Sequence, residues 1–255
     1  MKGLNRKLKT LINVLKIVLK LNFFKTLYFN LKSLPLKQAI KLPIHFYGKV
    51  ELANISGEFK IDNDKISFGM IVFGGKHEVV ISSNVPTRIY NSGKIVFNGK
   101  ANFAREINVM VWKYGELSIG DNFSIGSLSK IICFRKISIE KDVLISWEVQ
   151  IFDTDFHFIV SDEKITDNCG EVLISDSVWI GSRCTILKNT VLPINTIVGS
   201  DSLCTGNYLE KYGESILLAG LPAKLIKNNV SYLKDKKKET ELFNVFHTDK
   251  RAQQS

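Results

Sequence analysis

From residue 174 onward the chain keeps a beat that few folds can accommodate. An apolar side chain returns at every sixth position: Ile174, Ile180, Ile186, Leu192, Val198, Cys204. A helix would repeat near 3.6 residues and a strand near 2, and neither predicts a fixed six over thirty residues. Two positions before these residues stand Val178, Cys184, Thr190, Thr196 and Ser202, all small or modest. Residues two apart in an extended segment face the same side, so each unit points one large and one smaller residue inward. Three positions after the beat come Asn189, Asn195 and Asp201; Asn122 and Asp142 hold the same place after Ile119 and Ile139. Asn and Asp tolerate left-handed backbone and bond their own main chain, which suits a sharp corner. Strand, corner, strand, always with the same side inward, describes a chain winding round an axis, its turns stacked over one interior column. An antiparallel meander would give alternation but no reason for a six.

The beat also marks out the rest of the chain. It is present at Ile119, Ile125, Ile131 and Ile137, slips by two, and resumes at Ile139, Ile145 and Ile151. Residues 47–112 read as short strands with turns at 73–77, 91–94 and 98–102, with the six only hinted at by Ile55 and Ile61. Residues 152–173 leave the rhythm as a loop excursion. The expected division is a basic amphipathic arm at 1–46, a β-coil domain at 47–226 and a helical tail at 227–255.

Charge is concentrated at one end. The net charge is +10, yet residues 1–50 hold eleven Lys or Arg and no acid, the first acidic residue being Glu51. The body is therefore near neutral, and the overall basicity is no sign of a nucleic-acid-binding domain. In the arm, Lys9, Asn13, Lys16 and Lys20 share one helical face, and Leu8, Leu11, Ile12, Leu15, Val18 and Leu19 share the other. Lys16 and Lys20 interrupt the apolar run, so a spanning helix is not expected, and no clean signal-peptide cleavage site follows. Two readings stand: a helix lying on an anionic membrane surface, or one packed on its own body or a neighbouring subunit. The four cysteines, Cys133, Cys169, Cys184 and Cys204, form no CxxC pair. Buried thiols in a reducing cytoplasm are expected, at most peripheral to the inner face of the membrane.

The stretches IGSRCT (180–185) and VGSDSL (198–203), and the closing GLPAKLIK (220–227), resemble the hexapeptide-repeat acyltransferases. IGDNFS (119–124) fits less well, with Phe123 in the small place. The resemblance covers about residues 47–230 and is best for the sugar and polysaccharide O-acetyltransferases. It implies an all-β fold, a left-handed parallel β-helix, assembled as a homotrimer with sites between subunits. The implied reaction moves acetyl from acetyl-CoA to a hydroxyl of a sugar or glycan acceptor. N-acetylation of an amino sugar or small amine, or a non-catalytic trimeric scaffold, remain as alternatives.

The resemblance makes His157, in IFDTDFHFIV (151–160), the general base. Imidazole titrates near neutral pH, so it can take a proton from an attacking hydroxyl. Asp155 and, slightly less favoured, Asp153 could orient the ring or stabilise its cation. An exposed loop histidine is the plain alternative. Donor contacts are implied at Trp179, Ser182, Ser200 and Thr205, with Lys224 and Lys227 toward the CoA phosphates. Trp179 could equally pack between subunits, and both lysines could simply be solvated. The chain departs from the common text at Thr205-Gly206, where Thr-Lys is frequent, and carries a longer loop at 206–214. DTD (153–155) as a metal and nucleotide-sugar site lacks a surrounding βαβ pattern. A three-histidine zinc, as in carbonic anhydrases on such coils, lacks suitably placed histidines. No metal and no nucleic-acid partner are expected.

Overall fold

The computed structural model describes residues 21–75 and 85–252. The amphipathic pattern read over residues 8–20, and His77, lie outside the described residues. Three sheets of nine, seven and six strands run the length of the body, and every pairing within them is parallel except the final hairpin. The chain visits the first, second and third sheet in rotation. Ile125, Ile145, Ile180 and Val198 stack as neighbours in the first sheet. Ile131, Ile151, Ile186 and Cys204 do so in the second, and Ile119, Ile139, Ile174 and Leu192 in the third. The expected class, a left-handed parallel β-helix, stands.

The interior is the one the six-step requires. Ile174, Ile180, Ile186, Leu192, Val198 and Cys204 are buried, as are their smaller partners Val178, Cys184, Thr190, Thr196 and Ser202. The hydroxyls among them are satisfied locally: Thr190 Oγ1 donates to the Cys204 carbonyl (3.1 Å), Thr196 Oγ1 to that of Pro193 (2.7 Å) and Ser202 Oγ to that of Gly199 (2.6 Å). A buried hydroxyl is tolerated only when bonded. Asn122, Asp142, Asn189, Asn195 and Asp201 all take positive φ, between 57° and 61°. Leu128, Glu148, Ser177 and Arg183 take positive φ as well, between 58° and 63°, and side-chain type alone does not single them out. Stacking explains them: the corner N–H of Arg183 donates to the Trp147 carbonyl one turn below, and that of Glu148 to Ser127. Each turn imposes the left-handed corner on the next, and the ladder bonds offset a cost of roughly 1–2 kcal/mol per non-glycine corner.

The slip between Ile137 and Ile139 now has a structural cause. From Phe97 on, the steps from third to first sheet and from first to second are six residues each, as in 97, 103, 109 and 119, 125, 131. The step from second to third sheet varies. It is ten residues from Val109 to Ile119, eight from Ile131 to Ile139, twenty-three from Ile151 to Ile174, and six only from Ile186 to Leu192. Between residues 97 and 204 all surplus length leaves the coil at one edge.

The coil begins at the strand Ile44–Phe46, whose free side is covered by helix α1 (Phe23–Ser33) and the short α2 (Leu36–Ala39). Asn30 of α1 donates to the Ile44 carbonyl (2.7 Å) and accepts from the Ile44 N–H (3.1 Å), and Thr26 Oγ1 accepts from the Phe46 N–H (3.1 Å). These bonds occupy a strand edge that would otherwise invite pairing. Phe29 seals the column end against Phe46 and Phe59, at centroid distances of 5.1 and 4.8 Å. At the other end, α3 (Tyr208–Tyr212) precedes the hairpin of strands Ile216–Gly220 and Ala223–Asn228, which adds to the first sheet. The tail crosses back: Tyr232 donates to the Asp142 carbonyl (2.7 Å), and Lys234 meets the Asp142 carboxylate (3.4 Å) before α4 (Lys236–Ala252).

Candidate active site on the long edge

The excursion begins where the second-sheet strand Gln150–Phe152 ends and returns at the third-sheet strand Val172–Ile174. Its outer part is a small antiparallel hairpin, Ile159–Ser161 with Lys164–Thr166, exposed throughout. Its base is tied down from several directions. Thr154 bridges Cys169, the Asp155 N–H donates to the Asn168 carbonyl (2.8 Å), and the Gly170 N–H to that of Asp153 (2.8 Å). Arg135 donates to the Cys169 carbonyl (3.0 Å) and the Asp167 carboxylate (2.7 Å). The bond from the Cys169 N–H, with that from Arg135, holds the Asp167 carboxyl below the usual carboxylate range.

His157 stands on this excursion, exposed, its N–H donating to the Asp155 carbonyl (2.7 Å). Among the described residues no side chain is hydrogen-bonded to its ring. The residues on either side of it are constrained. Phe156 sits at φ 63° and its N–H donates to Thr154 Oγ1 (3.0 Å). Asp155 pairs with Lys188 at 2.5 Å, both side chains largely covered, and Lys188 also donates to the Asp167 carbonyl (2.6 Å).

Asp153 does different work from Asp155. It is fully buried, and its two oxygens accept the N–H groups of Phe134 and Arg135, each at 2.7 Å. It therefore closes the eight-residue side one turn below. Burial first, and then its charge, push the neighbouring Cys133 thiol up.

The expected donor residues lie elsewhere. Trp179 projects from the first sheet, its Nε1–H donating to Ser146 Oγ (3.4 Å) and its ring tilted against Tyr232 at 6.3 Å. Ser182 and Ser200 occupy stacked corners between first and second sheets, joined by the Asp201 N–H to the Ser182 carbonyl (2.9 Å). Gly181 permits that close stacking, because a Cβ there would lie 2.9 Å from Ser200 Oγ. Lys224 and Lys227 are exposed on the closing hairpin at the end of the first sheet. Thr205 alone shares the long edge with His157; it follows the second-sheet strand Leu203–Cys204, and its N–H donates to the Tyr208 hydroxyl (3.2 Å). One chain thus puts His157, Asp155 and Thr205 on one border of the second sheet. Ser182 and Ser200 lie on the other, with Trp179 and the lysines beyond them. A six-residue side separates these borders by roughly 15–20 Å.

Sequence reasoning missed the supports. Lys188 and Arg135 gave no local sign, since each acts on residues twenty or more positions away. The aromatic column did leave a trace: Tyr90, Trp112, Phe134 and Phe156 are each twenty-two residues apart. In the fold they form a row along the long edge, with successive centroids at 5.7, 5.5 and 5.8 Å. The row ends beside His157.

No family model matches this chain. A Klebsiella pneumoniae protein, "Uncharacterized 24.8 kDa protein in cps region", is 31% identical over 153 residues, covering 60% of this chain and 66% of that one. The chain thus spans just under two thirds of that relative. "Putative lipopolysaccharide biosynthesis O-acetyl transferase WbbJ" of Escherichia coli (strain K12) is 28% identical over 154 residues, 56% of this chain and 76% of that one. Among solved structures, the polySia specific acetyltransferase NeuO aligns with a TM-score of 0.48 at 18% identity, covering 76% of this chain and 98% of that one. In its six-residue beat, its three-sided coil and its closing GLPAK hairpin, the chain resembles the hexapeptide-repeat acyltransferases.

Proposed function

We propose that the protein is an acetyl-CoA-dependent acetyltransferase acting on a hydroxyl of a sugar or glycan intermediate in surface-polysaccharide synthesis, with His157 as general base. His157 takes the proton of the acceptor hydroxyl as its oxygen attacks the thioester carbonyl. Backbone N–H groups stabilise the tetrahedral oxyanion. Its collapse breaks the carbon–sulfur bond, and the imidazolium returns the proton to the leaving thiolate. No acyl-enzyme is required. Asp155, held by Lys188, and the left-handed Phe156 fix the main chain that presents the ring.

The observation that carries this reading is the placement of His157. Of the three histidines within the described residues, His45 is buried and His247 lies on α4. His157 is exposed on a segment whose base is bonded to the coil from several directions. The separation of His157 from Trp179, Ser182 and Ser200 also bears on assembly. In a homotrimer, the long edge of one copy lies against the first-sheet side of the next, and each site is completed by two copies. A ring of three such head-to-tail contacts closes.

Replacing His157 with Ala tests the chemistry: transfer from acetyl-CoA to glycan acceptors falls by about 10²–10⁴, with thermal unfolding unchanged. Retained turnover would remove the base. Mixing H157A subunits with subunits carrying K224A and K227A tests the shared site. Hybrids regain activity that neither parent shows, whereas a site contained in one copy gives no regain.

A further inference from the structure

We propose that the outer face of the α1–α2 cap is a docking surface for an anionic phospholipid bilayer. This inference stands independently of the acetyl-transfer reading.

The end of a stacked coil needs a cap whose outer face is polar. Here the inner face is well made: Thr26, Phe29 and Asn30 are buried against the first strand. The bonds of Asn30 and Thr26 to Ile44 and Phe46 prevent the helix from rolling. The outer face is the anomaly. Phe24 is 83% exposed, Tyr28 56%, Leu31 50%, Leu36 69% and Ile40 67%, with Phe23 beside them at 50%. Phe24, Tyr28 and Leu31 follow the 4, 3 spacing of one helical face; Leu36 opens α2 and Ile40 caps its end. Contiguous apolar surface of this kind marks an interaction site.

Charge identifies the occupant. Lys32, Lys37 and Lys41 are exposed among these side chains, and the first fifty residues hold no acid. Lys25 is not counted, because its ammonium donates to the Val50 carbonyl. Asp62, which follows the Ile61 carbonyl bonded by Gln38 of α2, is already paired with Lys60 at 3.1 Å. Protein interfaces are depleted in lysine, whereas a bilayer with anionic headgroups rewards lysines flanking aromatic and aliphatic side chains. Among the described residues no helix is long and apolar enough to cross a membrane.

The test is flotation of the full-length protein with vesicles of phosphatidylcholine alone and of phosphatidylcholine mixed with phosphatidylglycerol. The protein floats with the mixed vesicles, is released by salt, and stays behind with the neutral ones. K32E/K37E/K41E and, separately, F24S/L31S/I40S each lower the bound fraction about 10-fold or more, with unfolding temperature and sedimentation coefficient unchanged. Several results would overturn the proposal: no flotation, equal flotation with neutral vesicles, or flotation that neither variant alters. A fall in unfolding temperature in F24S/L31S/I40S would instead mean that residues 1–20 cover the face. Dissociation of an assembly in the same variant would mean that a second copy covers it.

Discussion

Two kinds of edge on one coil behave differently. Where third sheet passes to first and first to second, every step from residue 97 to residue 204 is six residues, and corner follows corner in register. Where second passes to third, the steps are ten, eight, twenty-three and six. The strict edges are governed by the stack, since each corner N–H bonds the corner below and an inserted residue would break the ladder. The long edge is free of that demand because its extra residues are held by other means: Asp153 under the eight-residue side, the aromatic row along its length, and Lys188 and Arg135 at the base of the excursion. A scaffold that confines irregularity to one edge can carry a site there without disturbing its core.

This contrast can be broken by substitution, beginning with the largest effect. Ile186→Ala, in the strictly regular region, removes a fully buried side chain from the column and costs about 3–4 kcal/mol. Chemical denaturation checks it, and a cost below about 1 kcal/mol would mean the late turns are not a tightly packed stack. Asp153→Ala strands two N–H groups on the long edge and costs about 2–3 kcal/mol. Because those groups belong to residues 134 and 135, amide exchange should quicken there and in the excursion before it does at the strict-edge corners around Asn195 and Asp201. Uniform quickening would show that the long edge is no separate unit. Lys188→Met leaves the coil's ladder intact but unpairs the partly covered Asp155 carboxylate, at about 1–2 kcal/mol, and frees the base of the excursion. Limited proteolysis between residues 155 and 168 should then accelerate with little change in unfolding temperature. Unchanged cleavage would leave the hairpin base held by backbone bonds alone.

The sequence carried most of the coil because a stacked coil is locally encoded. Each six-residue unit must offer a large inward residue, a small one and a corner, and these show at fixed spacing whatever the neighbours do. The same logic explains what was half-legible. Leu128, Glu148, Ser177 and Arg183 take left-handed corners with no sign from residue type, since the turn beneath imposes the conformation. The slip at Ile137–Ile139 was visible as a phase change, but its cause, a carboxylate nineteen residues later, was not.

For the site, the sequence determined that a histidine stands in the one long break of a six-residue rhythm, and that the basic residues crowd the first fifty positions. The tertiary structure decided the rest. Asp153 and Asp155 are near neighbours in sequence, yet one accepts the N–H groups of Phe134 and Arg135 in the interior and the other is set against Lys188. Ser182 and Ser200 meet in stacked corners, while His157 stands across the second sheet from them. Inward and outward positions are a matter of local period, whereas partners are a matter of which turns stack, and only the folded coil brings residues eighteen or more apart into contact.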